Sequence, residues 1–207
     1  MIINLFCFIL DRFRIFDALG LSQKLLEGSA ALFPTDTLPA LAASPENAAQ
    51  LWTIKQRPAN KPLILMGSSQ NKLFEFVSPD ALEDAQLMAR RFWPGALTMV
   101  LPASGSIVNS LNPGKFNLGI RIPACEVTLA LLSKTGPLAT TSANLSGKNP
   151  CMNEQDAAQC FPNLPLLGPI PWPKASGLAS SVIFWEGIDR WQVLRSGAVM
   201  QKKDEYL

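Results

Sequence analysis

The segment KQRPANKP sets three cations, Lys55, Arg57 and Lys61, within seven residues. Arginine offers a planar fork that matches phosphate or carboxylate, and lysine a point charge. The segment can therefore hold an anion. It can equally be the last turn of a helix, where cations meet the negative end of the macrodipole. Arg121 stands in LGIRIP between Ile120 and Ile122. On a strand the two isoleucines share one face and Arg121 takes the other, where it needs an anionic partner or an open face. ATTSANLSG, residues 139–147, presents Thr140, Thr141, Ser142, Asn144 and Ser146 directly after an apolar stretch. Hydroxyls, an amide and closely spaced backbone N–H groups can cradle phosphate oxygens, or can simply cap their own turn. Thr35, Asp36 and Thr37 complete the polar clusters. Asp36, their only acid, reads as a turn former.

Composition narrows the chemistry. The 207 residues contain no histidine, which removes serine–histidine and cysteine–histidine catalysis and every histidine base. No GxxxxGK[ST] occurs, so the P-loop class is excluded. Cys7, Cys125, Cys151 and Cys160 form no CxxC and read as free thiols in a reducing compartment. A net charge of +2 is too small for a general nucleic-acid binder. The apolar start MIINLFCFIL precedes its charges, the reverse of a signal peptide, and is about half the ~20 residues that span a bilayer. It reads as a strand or an extension over residues 1–14. The expectation is a cytoplasmic protein with no membrane partner.

Several elements must position these residues. Leu19, Leu25 and Leu26 recur with helical spacing before Gly28, and residues 30–33 form an apolar strand into PTDT. Ser44-Pro45-Glu46 starts a helix that ends near Pro58, and Ser78-Pro79-Asp80 another that reaches about Phe92, before WPG. Strands are expected at 63–66, 96–101, 118–122, 138–140, 182–184 and 192–194. Helices are expected at 127–132 and, capped by Asn153, at 154–160. The stretch 162–173 reads as a long Pro-rich loop. Helices and strands alternate, so the class is α/β. One domain covers residues 15–200, with a polar tail at 201–207. In open α/β sheets ligands bind at strand ends, so the polar clusters are expected to converge on one cleft.

FPTDT, KQRPANKPL, RFWPGALT, GIRIP, TTSANLSG, SSV and LRSG occur in that order. Together they resemble the YrdC/Sua5/TsaC family of threonylcarbamoyl-AMP synthases, of the short TsaC-like type, over roughly residues 15 to 200. The resemblance implies a single-domain twisted mixed sheet with flanking helices and a concave, positively charged cleft. It also implies an activity: L-threonine, bicarbonate or CO2, and ATP with Mg2+ give threonylcarbamoyl-AMP and pyrophosphate. Transferase proteins acting downstream then carry the group to tRNA for t6A37 modification. By resemblance, Lys55, Arg57, Ser142 and Asn144 form the catalytic set. Lys61, Thr140 and Arg195 join them around ATP. Thr35, Arg121 and Ser181 hold threonine. No side chain is implied as a metal ligand.

An unprotonated amine adds to CO2 without an enzymic nucleophile, so such an enzyme mainly positions reactants and stabilises charge. The family's TVYGL stands here as TLPAL, with Pro39 and Ala40, beside the implied threonine pocket. Pro39 fixes φ and lacks an N–H, and Ala40 lacks glycine's freedom at positive φ. The family's STV stands as SSV. Two alternatives remain. One is a double-stranded RNA- or tRNA-binding module with lost or altered catalysis. The other is a nucleotidyl-transfer enzyme acting on another amine or carbamoyl compound.

Overall fold

Short apolar runs, each ended by Pro, Gly or a polar cluster, build the framework. The computed structural model describes residues 14–199. Its strands are β1 (Ile15–Phe16), β2 (Ala31–Phe33), β3 (Ala40–Ala43), β4 (Ile64–Met66), β5 (Leu97–Pro102), β6 (Asn117–Arg121), β7 (Leu138–Ser142), β8 (Leu166–Leu167), β9 (Ser181–Gly187) and β10 (Arg190–Arg195). They form one mixed sheet in the order β1-β8-β2-β3-β7-β4-β6-β5-β9-β10. The helices are α1 (Ala18–Leu26), α2 (Ala49–Ile54), α3 (Gln70–Phe74), α4 (Leu82–Phe92), α5 (Ser106–Leu111), α6 (Glu126–Thr135) and α7 (Glu154–Cys160). The α/β class and the single twisted mixed sheet agree with expectation. The apolar start, Cys7 and the tail lie outside the described residues.

Alternation along each strand divides the two faces. Leu41, Leu65, Met99, Ile120, Ala139 and Ile183 point to one side and meet Leu51, Leu73, Ala85 and Leu111 from α2, α3, α4 and α5. Leu65 is fully buried, so truncation to alanine costs about 2–5 kcal/mol. On the other face, Ala31, Phe33 and Ala42 are covered by Leu21 and Leu25 of α1 and Leu131 and Leu132 of α6. Farther along, the same face lines a cavity. The site lies across this face of the sheet and takes in the ends of β6, β7 and β10 at Arg121, Ser142 and Arg195, together with the turn that follows β2.

The expected helix starts at Ser44 and Ser78 are corrected. Each begins a 3-10 turn, Pro45–Asn47 or Pro79–Ala81, and the α-helix follows at Ala49 or Leu82. Neither serine caps through its side chain; Ser44 Oγ accepts from Asn47 Nδ2 instead, at 2.9 Å. Asn153 caps as expected, accepting from Asp156 N. The Pro-rich loop contains β8, which pairs in parallel with β1 and β2. Two leucines carry no periodic signal, and their partners are remote in sequence.

Candidate active site

The open face encloses a cavity of about 590 Å³. Its wall alternates along the strands: Thr140 and Ser142, Gly119 and Arg121, Thr98 and Val100, Val182 and Phe184. Arg57, Arg121 and Arg195 line it, and among the described residues no aspartate or glutamate is on the wall. Burial lowers the pKa of all three arginines from the usual range. For Arg121 the Asp36 carboxylate opposes that effect.

Lys55 is the C-cap of α2. Gln56 follows at φ +51°. Gln56 N donates to Thr53 O at 3.0 Å and Arg57 N to Trp52 O at 2.9 Å, a Schellman closure with a non-glycine residue in the left-handed position. This reversal sends Lys55 and Arg57 back toward β7. Lys55 is only 2% exposed. Its Nζ donates to the backbone oxygens of Ser142 and Asn144 and, at 3.2 Å, to Asn144 Oδ1. Burial, aided by the nearby Arg57 charge, pushes its pKa down to about 8. All three ammonium protons thus serve the turn after β7.

The turn is also closed from within. Ser142 Oγ donates to Asn144 Oδ1 at 2.6 Å, and Asn144 Nδ2 donates to Leu145 O and Lys148 O at 2.8 Å each. Ala143 N, Asn144 N and Ser146 N donate to Pro39 O, Ser142 O and Lys55 O. The expected cradle of backbone N–H groups is therefore corrected at these three positions: protein carbonyls already occupy them. Thr140 and Ser142 line the cavity with their hydroxyl-bearing side chains, and Asn144 does not. β7 also runs two residues past its expected end, which puts Thr141 and Ser142 on the rigid strand.

Arg57 Nη1 donates to Thr141 Oγ1 at 3.0 Å and Nη2 to Pro62 O at 3.1 Å. Its buried Nε has no partner among the described residues. Lys61 is exposed, lies outside the cavity wall and neighbours Pro62, which is part of it.

The PTDT turn meets β6 through Arg121, which is 4% exposed. Arg121 Nε donates to Gly95 O at 3.0 Å, Nη1 to Thr37 Oγ1 at 2.9 Å and Nη2 to Asp36 Oδ1 at 2.7 Å. The arginine thus has both an anionic partner and a place on the wall. The turn-former reading of Asp36 is corrected: it is the counter-ion of Arg121. Thr35 Oγ1 is spent on its own turn, donating to Leu38 O and accepting from Thr37 N and Leu38 N. WPG acquires a role here, since Gly95 N also donates to Ile122 O at 2.9 Å. A Cβ at Gly95 would sit 2.3 Å from Phe92 O.

At β9 the alternation shifts the expected hydroxyl by one residue. Ser181 is fully buried, its Oγ accepts from Gly197 N at 3.1 Å, and it does not line the cavity. Ser180 does, with its Oγ 2.9 Å from Thr98 Oγ1. Arg195 donates from Nε to Ser180 O at 2.9 Å and from Nη2 to Ser180 Oγ at 3.1 Å. Thr98 and Ser180 escape the sequence reading, and Thr37 and Thr141, named there within polar clusters, carry no ligand role in it. For Thr37, Thr98 and Ser180 a signal exists as spacing by two from the wall residues Thr35, Val100 and Val182; Thr141 has no such signal. Leu38, Pro39 and Ala40 line the cavity. Ala40 is the first residue of β3 and pairs with Ser142. Among the described residues only Gln56 and Asp189 are non-glycines at positive φ, so the backbone at 40 makes no demand for glycine.

Known proteins share this fold and parts of this sequence. The profile of the Sua5/YciO/YrdC family, described as telomere recombination, matches residues 23–197. The threonylcarbamoyl-AMP synthase of Pyrococcus abyssi is 37% identical over 139 residues, which are 65% of this chain and 41% of that one. The Bacillus subtilis threonylcarbamoyl-AMP synthase is 36% identical over 129 residues, 60% of this chain and 37% of that one. Each match thus spans about two fifths of the curated relative's length. Pyrococcus abyssi Sua5, solved as a complex with L-threonine, superposes with a TM-score of 0.80 at 30% identity, covering 87% of this chain and 54% of that one. With the profile matched from α1 to the residues beyond β10, this chain belongs to the Sua5/YciO/YrdC family.

Proposed function

We propose that the chain is a threonylcarbamoyl-AMP synthase, a nucleotidyltransferase that joins L-threonine, bicarbonate or CO2, and ATP. The observation that carries this reading is the convergence of Arg57, Arg121 and Arg195 on one cavity whose wall, among the described residues, holds no carboxylate. Such a wall favours polyanionic and carboxylate ligands over cations. The similarity to relatives of that activity supports it further.

In this reading Arg57 and Arg195 take the phosphates of ATP, next to Thr140 and Ser142. Arg121 takes the threonine carboxylate beside Thr35. Lys55 and Asn144 act on the phosphates through the shape of the turn that carries Ser142, and Lys61 acts from solvent. Ser180, just before β9, supplies the hydroxyl for which the resemblance implies Ser181. Magnesium arrives on the phosphates of ATP, as part of the substrate.

The unprotonated threonine amine attacks the carbon of CO2 and gives up a proton, forming a carbamate. A carbamate oxygen attacks the α-phosphorus. The bond between that phosphorus and the α,β-bridging oxygen breaks, and pyrophosphate leaves. The protein holds the reactants in line and stabilises charge on the phosphates. The product is the activated group for the tRNA t6A37 modification.

The test is pyrophosphate release from ATP and bicarbonate, with and without L-threonine, alongside L-serine. Release that requires L-threonine is expected. Release indifferent to the amino acid, or none at all, overturns the reading.

A further inference from the structure

Asp36 stands outside the cavity wall, yet it grips a residue that forms it. Its Oδ1 accepts from Arg121 Nη2 at 2.7 Å and from Ala124 N at 3.0 Å. The turn that carries it is pinned on another side, where Ser176 N donates to Asp36 O and Gly177 N to Thr37 O, both at 3.0 Å. With Gly95 O on Nε and Thr37 Oγ1 on Nη1, the guanidinium plane is held from three directions. A guanidinium has five N–H groups in a rigid fork. These three bonds leave one N–H on each terminal nitrogen for a ligand. The side chains of Asp36 and Arg121 are 16% and 5% exposed, so little water competes for the bond between them.

We propose that Asp36 is a positioning residue: its carboxylate oxygen fixes the angle at which Arg121 presents its two remaining N–H groups to the carboxylate of the amino-acid substrate. Asp36 itself does not touch the substrate. The inference rests on the synthase reading and deepens it, by naming what sets the aim of the amino-acid subsite. A carboxylate is recognised bidentately only when both N–H vectors are aligned, and a misplacement of about 1 Å can cost about a hundredfold.

The experiment is steady-state pyrophosphate release with L-threonine and ATP varied separately, on the wild type and on Asp36→Asn, Asp36→Glu and Asp36→Ala. Asn keeps an oxygen at the Oδ1 position, so its KM for L-threonine is expected within about threefold of wild type. Glu keeps the charge but moves the oxygen by one methylene. Glu and Ala are expected to raise the KM for L-threonine about tenfold or more, with the KM for ATP and kcat nearly unchanged. Equal rises for Asn and Ala would show that charge matters and aim does not, and would overturn the proposal. So would unchanged KM values, or a loss confined to kcat. If Ala fails to fold, the contrast between Asn and Glu decides alone. A wild type whose release ignores L-threonine overturns the synthase reading and this inference with it. A threonine-dependent wild type with an insensitive position 36 overturns only the inference.

Discussion

The ammonium of Lys55 lies 3.2 Å from the side-chain oxygen of Asn144, and the two residues are 89 positions apart. The same nitrogen holds the carbonyls of Ser142 and Asn144. One buried cation therefore ties the end of α2 to the turn that follows β7.

Removing that cation takes a donor from three oxygens; Ser142 O keeps Asn144 N and Asn144 Oδ1 keeps Ser142 Oγ, while the carbonyl of Asn144 loses its lysine. Lys55→Met is expected to lower stability by about 1–3 kcal/mol, the cost of an orphaned buried acceptor. It should also weaken ATP binding more than tenfold. Urea unfolding and calorimetric titration with ATP measure the two effects. Normal ATP affinity in a destabilised variant would detach the turn from nucleotide binding.

The lowered pKa of Lys55, about 8 against an ordinary 10.5, gives two signed expectations. Between these values the unfolded chain binds more protons than the folded one, so the contribution of Lys55 makes folding more favourable as pH rises through that window. Nucleotide binding moves the other way. Above pH about 8 the amine keeps only two protons for three oxygens, and the turn loosens. The KM for ATP should rise above pH 8 in the wild type and stay flat in Lys55→Met. Parallel profiles for the two proteins would discard the assignment.

Arg57 combines a cavity position with an Nε that has no partner among the described residues. Arg57→Ala is expected to reduce ATP affinity by about 10–100-fold, the range for a hydrogen bond to a charged group. Thr141→Val, which removes only the acceptor of Nη1, should cost less. Equilibrium binding of a non-hydrolysable ATP analogue checks both.

Asp84 is 7% exposed and accepts from Trp185 Nε1 at 2.7 Å and Asp189 N at 3.0 Å. It fastens α4 to the hairpin of β9 and β10, which supplies Phe184 and Arg195 to the cavity wall. Asp84→Ala is expected to lose about 2–3 kcal/mol in chemical denaturation. A loss below about 0.5 kcal/mol, the range of ordinary surface changes, would show that the hairpin holds without it.

Position 40 tests the TLPAL segment. Ala40 lies in an ordinary strand, paired with Ser142. Ala40→Gly should therefore destabilise by about 0.5–1 kcal/mol, the entropic cost of glycine in a strand. A rise in melting temperature would mean that the alanine is strained after all.

Much of this protein is legible in its sequence. KQRPANKP, GIRIP and TTSANLSG identify the cations and hydroxyls by residue type alone. Absent histidine and an absent P-loop exclude whole classes of mechanism. The spacing of Ile120, Arg121 and Ile122 is sufficient to put the arginine on the face opposite the core, because strand side chains alternate by necessity. Asn153 announces its helix because a cap is a local interaction.

Partnership was decided only by the tertiary structure. Nothing near Asp36 in the chain says that it meets Arg121, 85 residues on, and nothing near Lys55 says that its protons go to the turn after β7. Gly197 is confined by Ala179 O, 2.3 Å from where its Cβ would be, a contact made by chain reversal through β9 and β10. The choice of Ser180 over Ser181 depends on the register of β9 against β5, where Leu97 pairs with Ser181. β8 exists because β1 and β2 flank it. Residue type and local periodicity are properties of neighbours along the chain. Which donor finds which acceptor depends on sheet order and register, and those are settled by burying one face of the whole sheet at once.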